Sequence, residues 1–140
     1  MTTNLTHHRL KLIAICAACL ALGLVASKCH GAEVTDTQAI RALYGEACGE
    51  KYDAKLAISG VMRARIAKGW GLRGIYGANS KQLAHIDPKA WHACVTAWNQ
   101  SATNNTAPGC LHFGGKLDDS YFQKHNFQLV ATYGSTRIYK

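Results

Sequence analysis

The chain has 140 residues, 48% of them hydrophobic, which leaves room for one domain with a single modest core. Three of its 16 lysines and arginines lie in the first 32 residues, so 13 basic residues face 8 acidic ones in the remainder. This positive surplus favours a polyanionic partner such as nucleic acid, anionic lipid or an acidic cell-wall polymer.

The first residues of the chain have the organisation of a secretory signal. A basic segment comes first, an uncharged run covers residues 12–27, and small residues stand at Gly31 and Ala32. The run is shorter than the roughly 20 residues that span a bilayer comfortably. We therefore expect residues 1–32 to be a signal peptide or signal anchor, cleaved or retained, and residues 33–140 to be an exported domain.

Three helices are predicted in the first part of this domain. Residues 35–38, Thr-Asp-Thr-Gln, have the spacing of a capping box and begin a helix that should end near Gly49. Asp53 is placed to cap a second, apolar helix. Residues 87–88, Asp-Pro, begin a third helix. Its stripe of large side chains is more typical of a core than of a binding face: Trp91, Cys94, Val95, Trp98 and Ala102.

Two features, one on the second helix and one in the segment after it, leave alternatives open. Arg65 is the one charged residue on the apolar face of the second helix, so it either pairs with a carboxylate or extends its charged end into water. Residues 69–80 contain four glycines and are expected to form a loop. On this loop, Trp70 and Tyr76 either stack against sugar rings or fill the core.

The end of the chain predicts a small sheet. Residues 110–113 form a short strand candidate. Residues 127–133 and 136–139 are rich in β-formers, and Gly134 and Ser135 join them as the turn of a hairpin. Helices therefore precede a small antiparallel sheet, which predicts the α+β class.

Several familiar chemistries lack their motifs. The domain has no Cys-x-x-Cys pair, no His-Glu-x-x-His and no Gly-x-x-x-x-Gly-Lys. We therefore expect neither a metal nor a cofactor.

Carboxylate chemistry remains, at Glu46 and Glu50, which are one helical turn apart if the first helix extends that far. Cleavage of a glycosidic bond needs a carboxylic acid that protonates the leaving oxygen, and commonly a second carboxylate. Glu46 follows an apolar helix face, so we expect it to be partly buried, which suits a general acid. The alternative is that both are solvated residues of the last helical turn, although helix C-termini disfavour anions.

The same stretch resembles a known family. Residues 44–50, Tyr-Gly-Glu-Ala-Cys-Gly-Glu, and the helix that follows to Arg65 are similar to the opening of the SleB-type cell wall hydrolases, which include spore-cortex-lytic and phage endolysin-like enzymes. The similarity continues through residues 72–77, 109–113 and 133–140 in the same order. It implies a helix-rich, lysozyme-like α+β domain with a small C-terminal antiparallel β-sheet.

The resemblance also implies an activity, as a lytic transglycosylase or muramidase that cleaves the β-1,4 bond between N-acetylmuramic acid and N-acetylglucosamine. By position, Glu46 is the acid and then the base, Glu50 is a second carboxylate in the catalytic site, and Arg65 is a supporting residue. Five further residues are expected to shape the glycan groove: Tyr52, Trp70, Tyr76, His112 and Phe113.

The expected partner is the glycan strand of peptidoglycan, bound by a monomer in the periplasm or cell envelope. The leader is a candidate tether to the inner membrane. Export disfavours the reading as a small nucleic-acid binder.

Departures from the family pattern support a rival reading. Cys48 stands where the family often has Arg or Ser, and Ala64 stands where it usually has Asn. Both favour a non-catalytic peptidoglycan-binding or inhibitor module with the same fold. A disulfide from Cys48 to Cys94 or Cys110 would block the site until a leader cysteine exchanged with it, as in some phage endolysins. The alternative is an ordinary structural disulfide or a buried free thiol.

Overall fold

A computed structural model describes residues 33–140 of the chain. The predicted leader, residues 1–32, lies outside the described residues, so its role as a signal stays a prediction. The helices and strands of the described part, numbered in chain order, are α1 Asp36–Ala47, α2 Tyr52–Ala67, α3 Pro88–Gln100, β1 His112–Gly114, α4 Asp119–Lys124, β2 Leu129–Tyr133 and β3 Thr136–Tyr139. Short 3₁₀ turns cover Gly77–Asn79, Lys81–Ala84 and Lys116–Asp118.

Helix α1 begins with the predicted capping box. The hydroxyl oxygen of Thr35 accepts a hydrogen bond from the backbone N–H of Gln38 at 3.3 Å, and the Gln38 side chain accepts one from the Thr35 N–H at 2.9 Å. The helix ends at Ala47, close to the predicted position. Glu50 lies beyond this end, so the condition under which Glu46 and Glu50 would share a helix face is not met.

The turn after α1 is held by a buried lysine. The Nζ of Lys55 donates a hydrogen bond to the carbonyl oxygen of Cys48 at 3.2 Å and another to the carbonyl oxygen of Glu50. A helix leaves its last carbonyl groups without intrahelical partners, and Lys55 satisfies carbonyls at this end with a positive charge. Lys55 therefore stabilises the turn in which the chain leaves α1.

Helix α2 lies at the centre of the domain, with residues 54–62 all buried. On one side, Ile58 and Met62 pack with residues of α1 and α3. On the other side, Val61 packs with Ile138 of the sheet. Helix α2 therefore separates a helical layer from the sheet.

The start of α2 corrects one prediction. The N-cap is Lys51, without a side-chain hydrogen bond, so Asp53 is not the cap. Asp53 lies in the first helical turn, where a negative charge is favourable because the N–H groups there lack intrahelical partners.

Helix α3 begins as predicted. The carboxylate of Asp87 accepts a hydrogen bond from the Ala90 N–H at 2.6 Å, and Pro88 occupies the first turn. Trp98 is only 2% exposed, and its indole N–H donates to a carboxylate oxygen of Asp36 at 2.8 Å. The interpretation of this stripe as core is therefore confirmed at Trp98.

The sheet has the strand order β1-β3-β2, and both pairings are antiparallel. The predicted hairpin is present, with Gly134 at a φ of 62° in its turn. The first strand, predicted at residues 110–113, lies at His112–Gly114, because its register is set by pairing with β3. Together with the helices, this sheet confirms the predicted helix-rich α+β class with a small C-terminal antiparallel sheet.

The short helix α4 was not predicted from the sequence. Its first residue, Asp119, forms an ion pair with Arg137 and accepts a hydrogen bond from the Tyr139 hydroxyl at 2.5 Å. Phe122 stacks on the Tyr139 ring with centroids 4.0 Å apart. These contacts with β3 fix α4 at one edge of a cavity described below.

None of the described helices is both long and apolar enough to cross a membrane.

Candidate active site

A cavity of about 560 Å³ is lined by the end of α1, the glycine-rich loop, β1, α4 and the β2–β3 turn. Its charged and titratable side chains include three carboxylates, one guanidinium and one imidazole, which belong to Glu46, Glu50, Asp118, Arg65 and His112. Aromatic rings from Tyr76, Phe113, Tyr121 and Phe122 complete much of the wall. A concave site with aromatic walls and converging charged groups is the expected form of a ligand-binding or active site.

Glu46 is fixed at the edge of this cavity by the loop that faces it. Its Oε1 accepts hydrogen bonds from the backbone N–H groups of Tyr76 and Gly77, each at 2.8 Å. Its Oε2 has no hydrogen-bond partner among residues 33–140, so this oxygen remains for a ligand. The residue is exposed, which corrects the prediction of partial burial. Its carboxylate is nevertheless held by two donors and does not extend freely into water.

Two glycines make this arrangement possible. A Cβ atom at Gly45 would overlap the carbonyl oxygen of Gly77. A Cβ atom at Gly77 would overlap the carbonyl oxygen of Ala42 and lie 2.7 Å from the backbone nitrogen of Glu46. The helix and the loop therefore touch backbone to backbone, and this contact explains why α1 tolerates a glycine near its end.

Glu50 reaches the cavity from the turn after α1. Its Oε1 accepts a hydrogen bond from the Ser135 hydroxyl, in the β2–β3 turn. Both Glu50 and Ser135 line the cavity. The two glutamates singled out from the sequence thus meet at one site, although tertiary contacts and not a shared helix face bring them there.

Asp118 is a third carboxylate, which the sequence analysis missed. Its Oδ2 accepts a hydrogen bond from the backbone N–H of Gly115 at 2.8 Å. The only sequence signal for it is the pair of glycines at positions 114 and 115, followed closely by two aspartates. Such a pattern indicates a turn but does not place the turn beside Glu46.

Of the predicted groove residues, three line the cavity, whereas Trp70 and Tyr52 do not. Tyr76, His112 and Phe113 line the cavity, and Tyr76 is 78% exposed. Trp70 is 42% exposed, so it does not fill the core, and its ring centroid lies 6.2 Å from that of His112. Tyr52 is not brought to the cavity, because its hydroxyl donates to the Gln100 side chain at 2.7 Å and links α2 to α3.

Arg65 lines the cavity, and its contacts match neither alternative given above. Its Nη1 donates to the carbonyl oxygen of Leu111 at 2.9 Å, and its Nη2 donates to that of Arg73. Its Nε is buried without a hydrogen-bond partner among the described residues. Burial lowers the pKa of Arg65, although a guanidinium stays protonated at any working pH.

His112 is surrounded by aromatic rings. Its ring centroid lies 4.3 Å from that of Phe127 and 6.1 Å from that of Phe122. Burial, and secondly the charge of Arg65, lower the pKa of His112 below its ordinary value of 6.5. The neutral imidazole is therefore the form that the folded protein favours.

This preference predicts a loss of stability in mild acid. Below pH 6.5 the unfolded chain binds a proton at His112 more readily than the folded chain does, so the free energy of unfolding falls until the folded pKa is reached. We expect a larger loss between about pH 7.5 and pH 5.5 in the wild type than in His112→Gln, measured by urea unfolding. The exposed His92, replaced by Gln, is the matched control and should behave as the wild type. Equal losses in all three proteins would contradict the prediction.

The cysteines of the described part are free thiols: Cys48, Cys94 and Cys110. The Sγ of Cys48 donates to the Gln82 side chain at 3.1 Å. Burial raises the pKa of Cys94 to about 11, so its thiolate is scarce at neutral pH. No disulfide joins these three residues to one another, and the regulatory disulfide stays a prediction.

The described residues contain no cluster of His, Cys, Asp and Glu suited to a metal ion.

Comparisons with known proteins bear on the fold. No model of a known protein family matches the chain, and no curated protein sequence matches it either. The structure is similar to the crystal structure of the catalytic domain of the Bacillus cereus SleB protein, with a TM-score of 0.53 and 17% sequence identity. The similarity covers 82% of this chain and 99% of that one. The protein therefore has a SleB-like, helix-rich α+β fold, as the sequence resemblance implied.

Proposed function

We propose that this protein is a peptidoglycan-cleaving glycosidase, with Glu46 as its general acid and base. The observation that supports this most strongly is the geometry of Glu46, a residue that lines the cavity, with one oxygen held by two backbone N–H groups and the other without a hydrogen-bond partner among the described residues. The SleB-like fold and the similarity of residues 44–50 to the SleB-type hydrolases point to the same function.

In this mechanism Glu46 donates a proton from Oε2 to the glycosidic oxygen as the bond to the sugar carbon breaks. The carboxylate that results is stabilised by the N–H groups of Tyr76 and Gly77, which already point at Oε1 and need not reorganise. Glu46 then acts as a base. It takes a proton from water in a muramidase, or from a sugar hydroxyl that closes an anhydro ring in a lytic transglycosylase.

Other cavity residues have supporting roles in this proposal. Glu50 and Asp118 are the carboxylates available to stabilise positive charge at the sugar carbon. Tyr76 and Tyr121 are exposed aromatic residues at the cavity, and such rings suit stacking against sugars. The surplus of basic residues favours approach to acidic wall polymers.

Location and assembly belong to the same proposal. The leader, residues 1–32, would export the domain to the periplasm or cell envelope, where peptidoglycan lies, and would tether it to the inner membrane if it is retained. The domain would act as a monomer on single glycan strands and would need no cofactor.

The rival is a wall-binding or inhibitor module without activity. Its support came from Cys48 and Ala64, but neither residue lines the cavity. The residues present at these positions therefore do not obstruct the site around Glu46, and we favour the enzyme.

The test is incubation of the full chain with purified peptidoglycan. Release of soluble muropeptides supports the enzyme, and mass spectrometry of their ends separates a muramidase, which leaves reducing sugars, from a transglycosylase, which leaves anhydro sugars. Sedimentation of the protein with the wall, without any release, would overturn the proposal in favour of the binding module.

A further inference from the structure

Arg65 is the only lysine or arginine among the described residues that line the cavity. Within residues 33–140 no carboxylate lies within ion-pair distance of its guanidinium. The first 32 residues contain no aspartate or glutamate, so they offer no side-chain carboxylate either. A partly buried cation without a counter-charge is costly, and such cost is commonly offset where a ligand supplies the charge.

The guanidinium is held ready for such a ligand. The carbonyl oxygens of Leu111 and Arg73 fix Nη1 and Nη2, and the guanidinium carbon lies 5.6 Å from the ring centroid of Trp70. Each Nη carries two N–H groups, so each keeps one after these hydrogen bonds. A pair of N–H groups on one guanidinium suits bidentate contact with a carboxylate.

The neighbouring backbone leaves room beside the guanidinium. Gly74 also lines the cavity, and a Cβ atom there would lie 3.6 Å from Nη2 of Arg65. Gly74 has a φ of 73°, which disfavours any side chain at this position. The side of Arg65 that faces Gly74 is therefore not covered by a side chain from this residue.

We infer that Arg65 forms a carboxylate-binding subsite of the cavity, and that the protein binds carboxylate-bearing glycan strands in preference to neutral ones. The inference rests on the proposed function and names the substrate class for the same site. In peptidoglycan the carboxylate has two sources. One is the lactyl group of muramic acid, where the stem peptide is absent, and the other is the stem peptide itself.

The other charges of the cavity give this subsite an orienting effect. Glu46, Glu50 and Asp118 would repel a substrate carboxylate placed beside them, whereas Arg65 attracts it. A placement with the substrate carboxylate at Arg65 is then favoured over placements beside the three acidic residues, and attraction at one position with repulsion at others is how charge fixes a binding register.

The experiment measures binding by the full chain carrying Glu46→Gln, which should slow turnover enough for binding to be measured. Three forms of one short N-acetylglucosamine–N-acetylmuramic acid oligosaccharide are compared by calorimetry. The first has free lactyl carboxylates, the second has these converted to primary amides, and the third bears the stem peptide. We expect one acidic form to bind about tenfold more tightly than the amide, and the form that does so identifies the source.

Variants of Arg65 separate recognition from structural support. In the same background, Arg65→Gln should reduce the ratio of the two affinities to about one, and Arg65→Lys should give an intermediate ratio, because lysine keeps the charge but cannot make the bidentate contact. An Arg65 that only ties the loop to α2 would lower both affinities together and leave their ratio unchanged, which would overturn the inference. Equal affinities for all three forms before any change at Arg65 would overturn it without relying on a variant.

Failure of the subsite and failure of the enzyme give different results. Cleavage of peptidoglycan by the wild type without any preference for carboxylates refutes the subsite and leaves the enzyme. Preferential binding of the acidic form without cleavage by the wild type refutes the enzyme and leaves the subsite.

Discussion

Glu46→Gln is expected to reduce the rate of peptidoglycan cleavage by about 10²- to 10⁴-fold, the usual contribution of a general acid and base. The amide can still accept the hydrogen bonds from Tyr76 and Gly77 through its oxygen, so the position of the side chain should be kept. What the amide cannot do is donate a proton to the glycosidic oxygen and take one back. The rate is measured as soluble muropeptides released per unit time from purified peptidoglycan.

The matched control is Glu33→Gln, which removes the same charge from an exposed residue that does not line the cavity. It should cleave at the wild-type rate. Sedimentation with peptidoglycan should be retained in both variants, because substrate binding does not require the proton of Glu46. A Glu46→Gln protein that cleaves within about threefold of the wild type would show that another group supplies the proton.

The features that sequence analysis predicted correctly have causes that lie within a few residues. The capping box at Thr35, the Asp-Pro start of α3 and the turn at Gly134 each depend on neighbours close in the chain. Such local signals were sufficient for the helix-rich α+β class and for most element positions.

The errors arose where a distant residue decides the local structure. The place of Glu50, which the sequence left open, is set by a hydrogen bond from Ser135 in the β2–β3 turn. Arg65 was expected to meet a carboxylate or water, but it meets carbonyl groups of Arg73 and Leu111. These contacts depend on how the loop and β1 approach α2, which no periodicity in the sequence reveals.

In the candidate site, too, the features with local causes were predicted from the sequence and those that depend on distant residues were not. Glu46 was singled out from its own surroundings, and the cost of the adjacent Gly45 indicated a close backbone approach. The partner in that approach, Gly77, lies in a loop whose position becomes known only with the fold. Asp118 and Ser135 enter the cavity from the sheet side, so neither could be grouped with Glu46 from spacing alone.

Gly77→Ala is expected to destabilise the domain and to disturb the position of Glu46. The added Cβ would overlap the carbonyl oxygen of Ala42 and approach the backbone nitrogen of Glu46, and backbone atoms cannot move aside as a flexible side chain can. We expect a loss of about 1–3 kcal/mol in the free energy of unfolding, measured with urea. Cleavage should fall as well, because the loop must shift and take its N–H groups away from Glu46.

Gly49→Ala is the matched control for this change, since a Cβ atom at Gly49 meets nothing within 4 Å. It should leave stability unchanged or raise it slightly, because alanine restricts the unfolded chain. Gly45→Ala disturbs the same backbone contact from the side of α1. The double variant with Gly77→Ala should therefore lose less free energy of unfolding than the sum of the two single losses. Additive losses, or a Gly77→Ala protein as stable and active as the wild type, would mean that α1 and the loop do not need this backbone contact to hold Glu46.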